Sequence, residues 1–439
     1  MSGRQGSPSL WSNGAFVRVW AASTISVFGS LITRLALPFV AIYVLDAGPV
    51  EVGILRSIDL AATLVFGLVA GAWVDRLRRR PVLIWSDLLS ALVLATVPLA
   101  FIGGWLSFGQ LIVVAAVAAV LATFFDAADN AYLPTIVGRD RLVDANSALT
   151  ASWSAAELTG FGISGILVQA LTAPIAILVD AVTFLVSALM LATIRRPEPP
   201  PPPAESREPV IEEIRTGIAL VRRDPILRAL TIGQVALEAG WGFFGAVFLL
   251  FAVDDLGLGA AAIGIIAGVG GAASLAGAVA TPRAIARIGV GWTAIWALVL
   301  TALGAALIPL APAGAPLIAI GLLIGQQLLG DSAATAFDVV RTSVQQSVVD
   351  DRQLGRVSST VRVAAGGAQL VTTLVAGLLG AVVGLRVVLA LGPVILLLGA
   401  VVLWRSQVRQ LGVMPDGGLP SIDPAAAAVE HGRDEPIGG

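Results

Sequence analysis

The sequence predicts an all-α membrane protein with twelve transmembrane helices in two six-helix bundles and both termini cytoplasmic. Three observations carry that expectation. Charge is sparse: 57% of the 439 residues are hydrophobic and 13% are charged, where a soluble chain carries about a quarter, and mean hydropathy is +0.90. Apolar runs of roughly 20 residues, the length that crosses a bilayer as a helix, recur throughout the chain. Arginines sort to one side of those runs, as cytoplasmic loops require.

The twelve runs fall at about 16–45, 51–74, 81–103, 107–133, 142–169, 174–194, 226–252, 261–282, 290–311, 314–340, 354–382 and 385–404. Pro38, Pro98, Gly160, Gly162 and Gly165 lie inside them, which membrane helices tolerate. With both ends inside, the inner turns collect Arg76, Arg78, Arg79, Arg80, Arg139, Arg141, Arg195, Arg196, Arg283, Arg287, Arg341, Arg352 and Arg356, while the outer turns hold only Arg386. Trp20, Trp85, Trp292 and Trp404 sit near inner ends and Trp105 near an outer one, as interfacial anchors. The expected organisation is an N-terminal cytoplasmic segment, 1–15; a first bundle, 16–194; a linker, 195–225; a second bundle, 226–405; and a disordered cytoplasmic tail, 406–439. The linker opens with RRPEPPPPPAESREPV, which favours extended, solvated chain. It continues into a segment with Val210, Ile211, Ile214, Ile218 and Val221 at helical spacing, expected to lie on the inner membrane face.

The halves echo one another. FDAADNAYLPTIVGRDRLVDANS at 125–147 aligns without a gap on FDVVRTSVQQSVVDDRQLGRVSS at 337–359, so that Phe125, Asp126, Val137, Leu142 and Ser147 recur as Phe337, Asp338, Val349, Leu354 and Ser359. Two like-oriented bundles imply a transporter with a site between them at the midplane. Other classes find little support. Net charge is −2, so no basic field suits nucleic acid. There is no cysteine, and the single histidine, His431, lies in the polar tail. No HExxH or phosphate-binding loop occurs, so an enzyme and a resident metal or cofactor are not expected.

Ionisable groups inside a bilayer cost about 2.5–3.5 kcal/mol each on insertion scales and call for a reason. Glu157, Glu238, Arg34 and Asp59 all fall near the midplane at 1.5 Å of rise per residue. Asp180 lies further out and Asp331 in the inner half of its span. Structural pairing is one reading: Arg34 with Asp59, or Arg56 with Asp59 at i,i+3. Asp180 reads as structural.

GAWVDRLRRRP, 71–81, resembles the signature between spans two and three of the major facilitator superfamily, with Gly71, Asp75, Arg76, Arg79 and Arg80 matching and Arg78 where the family has Gly. SVFGSLITRLALPFVAIYVL, 26–45, DAVTFLVSAL, 180–189, IRTGIALVRRDPILRAL, 214–230, and QSVVDDRQLGRVSSTVR, 346–362, are similar to its macrolide-efflux and enterobactin-exporter branch. Two positions depart from it. Ala127, Ala128 and Asp129 replace the usual Pro-Ala-Arg, and Gly160-Phe161 replaces the exporter Gly-Pro pair.

The resemblance implies a conformational latch. Asp75 would meet the N-terminus of span eleven near Gly355 and Arg356, and Arg79 would pair with Asp126, with Gly71, Arg76 and Arg80 completing the motif. Orientation signalling alone would also explain Arg78 and Arg80. It further implies that span seven lines the cavity. Glu238 is then the first candidate for proton coupling, followed by Glu157, Asp59 and Asp331. Arg34, Gln234, Trp241, Phe244, Gln326 and Gln327 are candidate substrate contacts, and an acid beside aromatic rings suits amphipathic or cationic molecules. The implied activity is proton-coupled export of a hydrophobic or amphipathic small molecule by a monomer in the bacterial plasma membrane, its only energy source a proton gradient. Uptake or uniport of a metabolite is the alternative.

Overall fold

The computed structural model describes residues 10–74, 76–138, 141–196, 198 and 210–414, and among them there is no strand. Six long helices come first: α1 (Gly14–Leu45), α2 (Pro49–Val74), α3 (Arg79–Gly103), α4 (Phe108–Val137), α5 (Leu142–Leu171) and α6 (Ala173–Ala192). A short α7 (Val210–Arg223) precedes α8 (Pro225–Leu250), α9 (Ala260–Ile288), α10 (Val290–Ala306), α11 (Pro316–Gln326), α12 (Ser332–Val348), α13 (Asp351–Val383) and α14 (Leu385–Arg405). A π-helical turn, Gln327–Asp331, joins α11 to α12, and they run as one rod over Pro316–Val348.

Local chemistry sets the ends. The Asn13 side chain accepts from the N–H groups of Ala15 and Phe16 at the start of α1. Asp224 accepts from Ile226 and Leu227 at 2.8 and 2.7 Å, with Pro225 in the first turn of α8. Each acceptor satisfies donors that a helix start leaves unpaired. Gly104 ends α3 at φ 73°, a left-handed conformation that glycine enters without a Cβ clash.

Among the described residues, ten helical stretches are long and apolar enough to cross a membrane, short of the twelve expected. Outside that set are α10, whose helix gives way to turns before Pro309 and Pro312, and α2. Val65, Leu92, Leu99, Ile102 and Val113 are more than half exposed, an apolar periphery that fits lipid contact and not water. The segment expected at the membrane face, α7, packs on α13 and α8: Leu220 and Val221 are buried, and a Cβ on Gly217 would meet the Arg356 carbonyl oxygen at 2.5 Å. The tail begins ordered. Val408 is buried and the Leu411 carbonyl accepts from Gly291 N–H at 2.9 Å; residues 415–439 lie outside the described residues.

The apolar core has a shape that matters for function. At the end carrying the turns 46–48, 104–107 and 257–259, one continuous cluster joins both sets of helices, from Phe39, Val52 and Val168 to Val247, Ile263 and Ala376. At the arginine-rich end the core divides. One cluster holds only α1–α6 residues and their flank, such as Phe16, Leu83, Tyr132 and Leu191. The other holds only residues from Leu220 of α7 onward, such as Leu230, Leu298, Phe337 and Val408. The bundles are therefore fused at one end and apart at the other.

Two glycine seams cross between the bundles. On α2 and α13, a Cβ on Gly53 would lie 3.0 Å from Gly377 Cα. On α5 and α9, a Cβ on Gly165 would lie 3.0 Å from Gly264 Cα. Gly165 and Gly377 stand at the same offset as Phe125 and Phe337, while Gly53 and Gly264 fall one residue short of it.

Candidate functional site

Polar side chains inside the helical body gather in three places. On α8, Gln234 Nε2 donates to Glu238 Oε1 at 3.2 Å. One turn on, Trp241 meets Phe244 edge to face at 5.5 Å, and Phe244 stacks on Phe248 at 5.1 Å. The i,i+3,i+7 spacing seen in the sequence thus yields an acid followed by a continuous aromatic face. The charges nearest Glu238 from outside its helix are Asp338 and Arg341 of α12, which pair with each other at 2.6 Å.

A second group forms at the π-helical turn. One extra residue in a helical turn re-aims the side chains around it. Here Gln326 Nε2 donates to Asp331 Oδ1 at 3.2 Å, and Gln327 Nε2 donates to the Ile266 carbonyl at 3.2 Å. Gly270 on α9 makes the room: a Cβ there would sit 2.5 Å from Asp331 Oδ2. Glu157 of α5 is exposed and near enough for its charge to act on Asp331. The sequence-predicted Glu157, Gln326, Gln327 and Asp331 therefore converge. Nothing among the described residues bonds them to Glu238.

The third group lines a cavity of about 150 Å³ inside the first bundle, walled by α1, α2, α3, α4 and α6. Arg34, Arg56 and Asp59 share its wall with Ser30, Thr33 and Asp180. Among the described residues no ion pair joins Arg34 or Arg56 to Asp59. Asp180 is wholly buried and accepts hydroxyl hydrogen bonds from Thr33 and, at 3.0 Å, from Thr183. Gly29 lets α1 approach, because a Cβ there would collide with Asp180 and Thr183.

At the arginine-rich end the motif residues are occupied within their own bundle. Glu198 accepts from the backbone N–H groups of Arg79 and Arg80 at 2.6 and 3.2 Å and lies 3.7 Å from the Arg79 guanidinium. A carboxylate at that point caps the start of α3 and meets its positive dipole end. The Arg80 side chain donates to the Leu191 and Ala192 carbonyls, closing the end of α6. Arg196 does the same for α4 through the Ile136 carbonyl. Arg79 thus faces Glu198, whereas the resemblance pairs it with Asp126, which sits one turn above Asn130 and accepts from it through its backbone carbonyl. Gly71 ends up in α2, Arg76 in the turn after it, and Gly355 and Arg356 in the first turns of α13. Asp75 lies outside the described residues. Sequence reasoning does not single out Asp87 or Glu198. An acid in the apolar run 81–103 is a signal for the first; the proline-rich surroundings of Glu198 give none.

The family model for the Major Facilitator Superfamily matches residues 19–330. The chain belongs to the major facilitator superfamily. It is therefore a transporter, not an enzyme, and a multi-pass protein of the plasma membrane. It is 33% identical over 229 residues to the multidrug efflux pump Tap of Mycolicibacterium fortuitum, a match covering 50% of this chain and 55% of that one, so it spans about half the relative's length. Its fold is similar to a bacterial homologue of the iron transporter ferroportin in an inward-facing state, with TM-score 0.72 at 17% identity over 90% of this chain and 99% of that one. The outward-facing state of that homologue gives 0.57 at 17% identity over 89% and 98%.

Proposed function

We propose that this superfamily member exports hydrophobic or amphipathic small molecules in exchange for protons, by rocking its two bundles about a site between them. One observation carries the reading: Glu238, with Gln234 as its sole hydrogen-bond donor among the described residues, begins the Trp241–Phe244–Phe248 face. A carboxyl on an aromatic wall binds a cationic or amphipathic molecule through charge and ring faces, and it releases a proton when that molecule arrives. Likeness to an efflux pump supports the direction of transport.

The proposed topology is twelve spans, counting α2 and α10, with both termini cytoplasmic and the linker between bundles. The divided core at the arginine-rich end supports an inward-open state, as does the higher similarity to the inward-facing homologue. The latch then stands open, and Asp75 with Gly355 and Arg356 closes it in the opposite state. The unit is a monomer with the proton gradient as energy source and no cofactor. Arg34 and Arg56 on one cavity wall favour a second reading, an anionic substrate of the siderophore kind.

The test uses proteoliposomes and ethidium as probe. An imposed proton gradient is expected to drive ethidium against its own gradient, and ethidium added to detergent-purified protein is expected to release protons. Glu238→Gln should abolish that release. Wild-type release in the mutant rules Glu238 out, and no gradient-driven ethidium movement in the wild type rules out cation antiport.

A further inference from the structure

The first bundle contains acids that the central site does not use. Asp87 of α3 is 1% exposed, and among the described residues the only hydroxyl that faces its carboxylate is that of Ser187 on α6. Ser187 is fully buried and has no other hydrogen-bond partner among those residues. Two turns along the same face of α6, at i−7 and i−4 from Ser187, stand Asp180 and Thr183, already joined by a hydrogen bond. On α1, Thr33 donates to Asp180. Towards the arginine-rich end the Ser23 hydroxyl lies 3.4 Å from both carboxylate oxygens of Asp129 on α4. The charges of Asp129 and Asp180 both act on Asp87. Acids and hydroxyls therefore alternate through the interior of the bundle.

No guanidinium pairs with any of these three acids among the described residues. The cations facing the column are Arg34 of α1 and Arg56 of α2, at the cavity wall with Asp59; the remaining acid is Asp126 of α4. Ionised carboxylates buried without cations are costly by several kcal/mol each, so the column holds neutralising ions. Among the described residues no group of three or more His, Cys, Asp or Glu side chains is placed to hold a metal ion. The ion that fits a carboxyl without coordination space is a proton. The cavity walled by Arg34 and Asp59 reaches Asp180, and water entering it would supply that proton.

We propose that Asp180 and Asp87, with Thr183 and Ser187 standing between them on α6 and Asp129 and Ser23 beyond, form a proton path through the first bundle, separate from the acid of the central site. It deepens the antiport reading by giving protons a route that the exported molecule does not occupy. A hydronium in the cavity gives its proton to the Asp180 carboxylate, forming an O–H bond and leaving water. The proton leaves again when that O–H bond breaks towards the Asp87 carboxylate by way of the Thr183 and Ser187 hydroxyls, each giving up its own proton to the next group as it accepts one.

The deciding measurement is infrared difference spectroscopy of the purified full-length protein in lipid nanodiscs, acid minus alkaline, which needs no substrate. The expected result is a protonated-carboxyl band that loses one component in Asp180→Asn and another in Asp87→Asn, and that persists in Glu238→Gln. Difference spectra of Asp180→Asn and Asp87→Asn identical to wild type overturn the path. Should either variant fail to fold, Thr33→Val keeps the acid and removes one of its two hydroxyl donors; an Asp180 component at an unshifted frequency then overturns the path. In proteoliposomes, Asp180→Asn is expected to lose gradient-driven ethidium movement at least tenfold while downhill ethidium equilibration stays within twofold; unaltered gradient-driven movement overturns the path. Failure of the export reading silences ethidium transport in the wild type as well and leaves the infrared result to decide.

Discussion

Replacing Gly165 by Ala adds one methyl group where two helices of different bundles touch. The new Cβ would lie 3.0 Å from Gly264 Cα and closer still to the Ala260 carbonyl oxygen. Both obstacles are backbone, so no rotamer change relieves them, and α5 and α9 must separate by several tenths of an ångström. Overpacking of this kind costs about 1–3 kcal/mol. At about 2–4 °C per kcal/mol for a large chain, that lowers the unfolding midpoint by roughly 2–12 °C. Gly162 is the internal control: it lies on the same helix, and a Cβ there meets nothing within 4 Å. Gly162→Ala is expected to be neutral or stabilising by up to about 1 kcal/mol, since Ala loses less backbone entropy in a helix. Thermal unfolding of both variants in one detergent, followed by tryptophan fluorescence, gives the comparison. Equal midpoints for the two would refute the seam as a close backbone contact.

Three further outcomes are expected. Asp224→Ala removes the acceptor for two N–H groups at the start of α8 and should destabilise by about 0.5–2 kcal/mol, read by the same melt. Arg80→Gln should lower the midpoint by loosening the α3–α6 contact without altering ethidium affinity, because among the described residues the Arg80 side chain bonds the Leu191 and Ala192 carbonyls; a large affinity change in fluorescence titration would contradict that. Trp241→Ala should weaken ethidium binding by about five- to thirtyfold, the loss of one partly desolvated cation–π contact of about 1–2 kcal/mol. An unchanged dissociation constant would show that the aromatic face does not line the site.

Much of the fold is legible in the sequence because lipid leaves few options: backbone groups must be satisfied internally, so apolar runs become helices. Their order is readable, and so is the aromatic face of α8, since i,i+3,i+7 spacing survives into three dimensions. Gln326, Gln327 and Asp331 are readable as residues but not as a group. Their convergence depends on the π-helical turn and on the space left by Gly270, a residue that looks like any other glycine in an apolar run. The arginine cluster is legible as an orientation signal, while its bonds are not. Glu198 follows the last helix of the bundle, 119 residues from Arg79, and no local pattern announces a contact between positions so distant in the chain. Asp180 reads as a structural acid because sequence shows neither the cavity beside it nor the buried carboxylate of Asp87 further along the column.

Rocking of two bundles is tested most directly by the distance between their arginine-rich ends. Spin labels at Asn130 of α4 and Gln346 of α12, measured by double electron–electron resonance in nanodiscs, report it. Rocking predicts a long-distance population matching the divided core, and a second, shorter one that gains weight when pH or ethidium is changed. A single distance that stays fixed under every condition contradicts it.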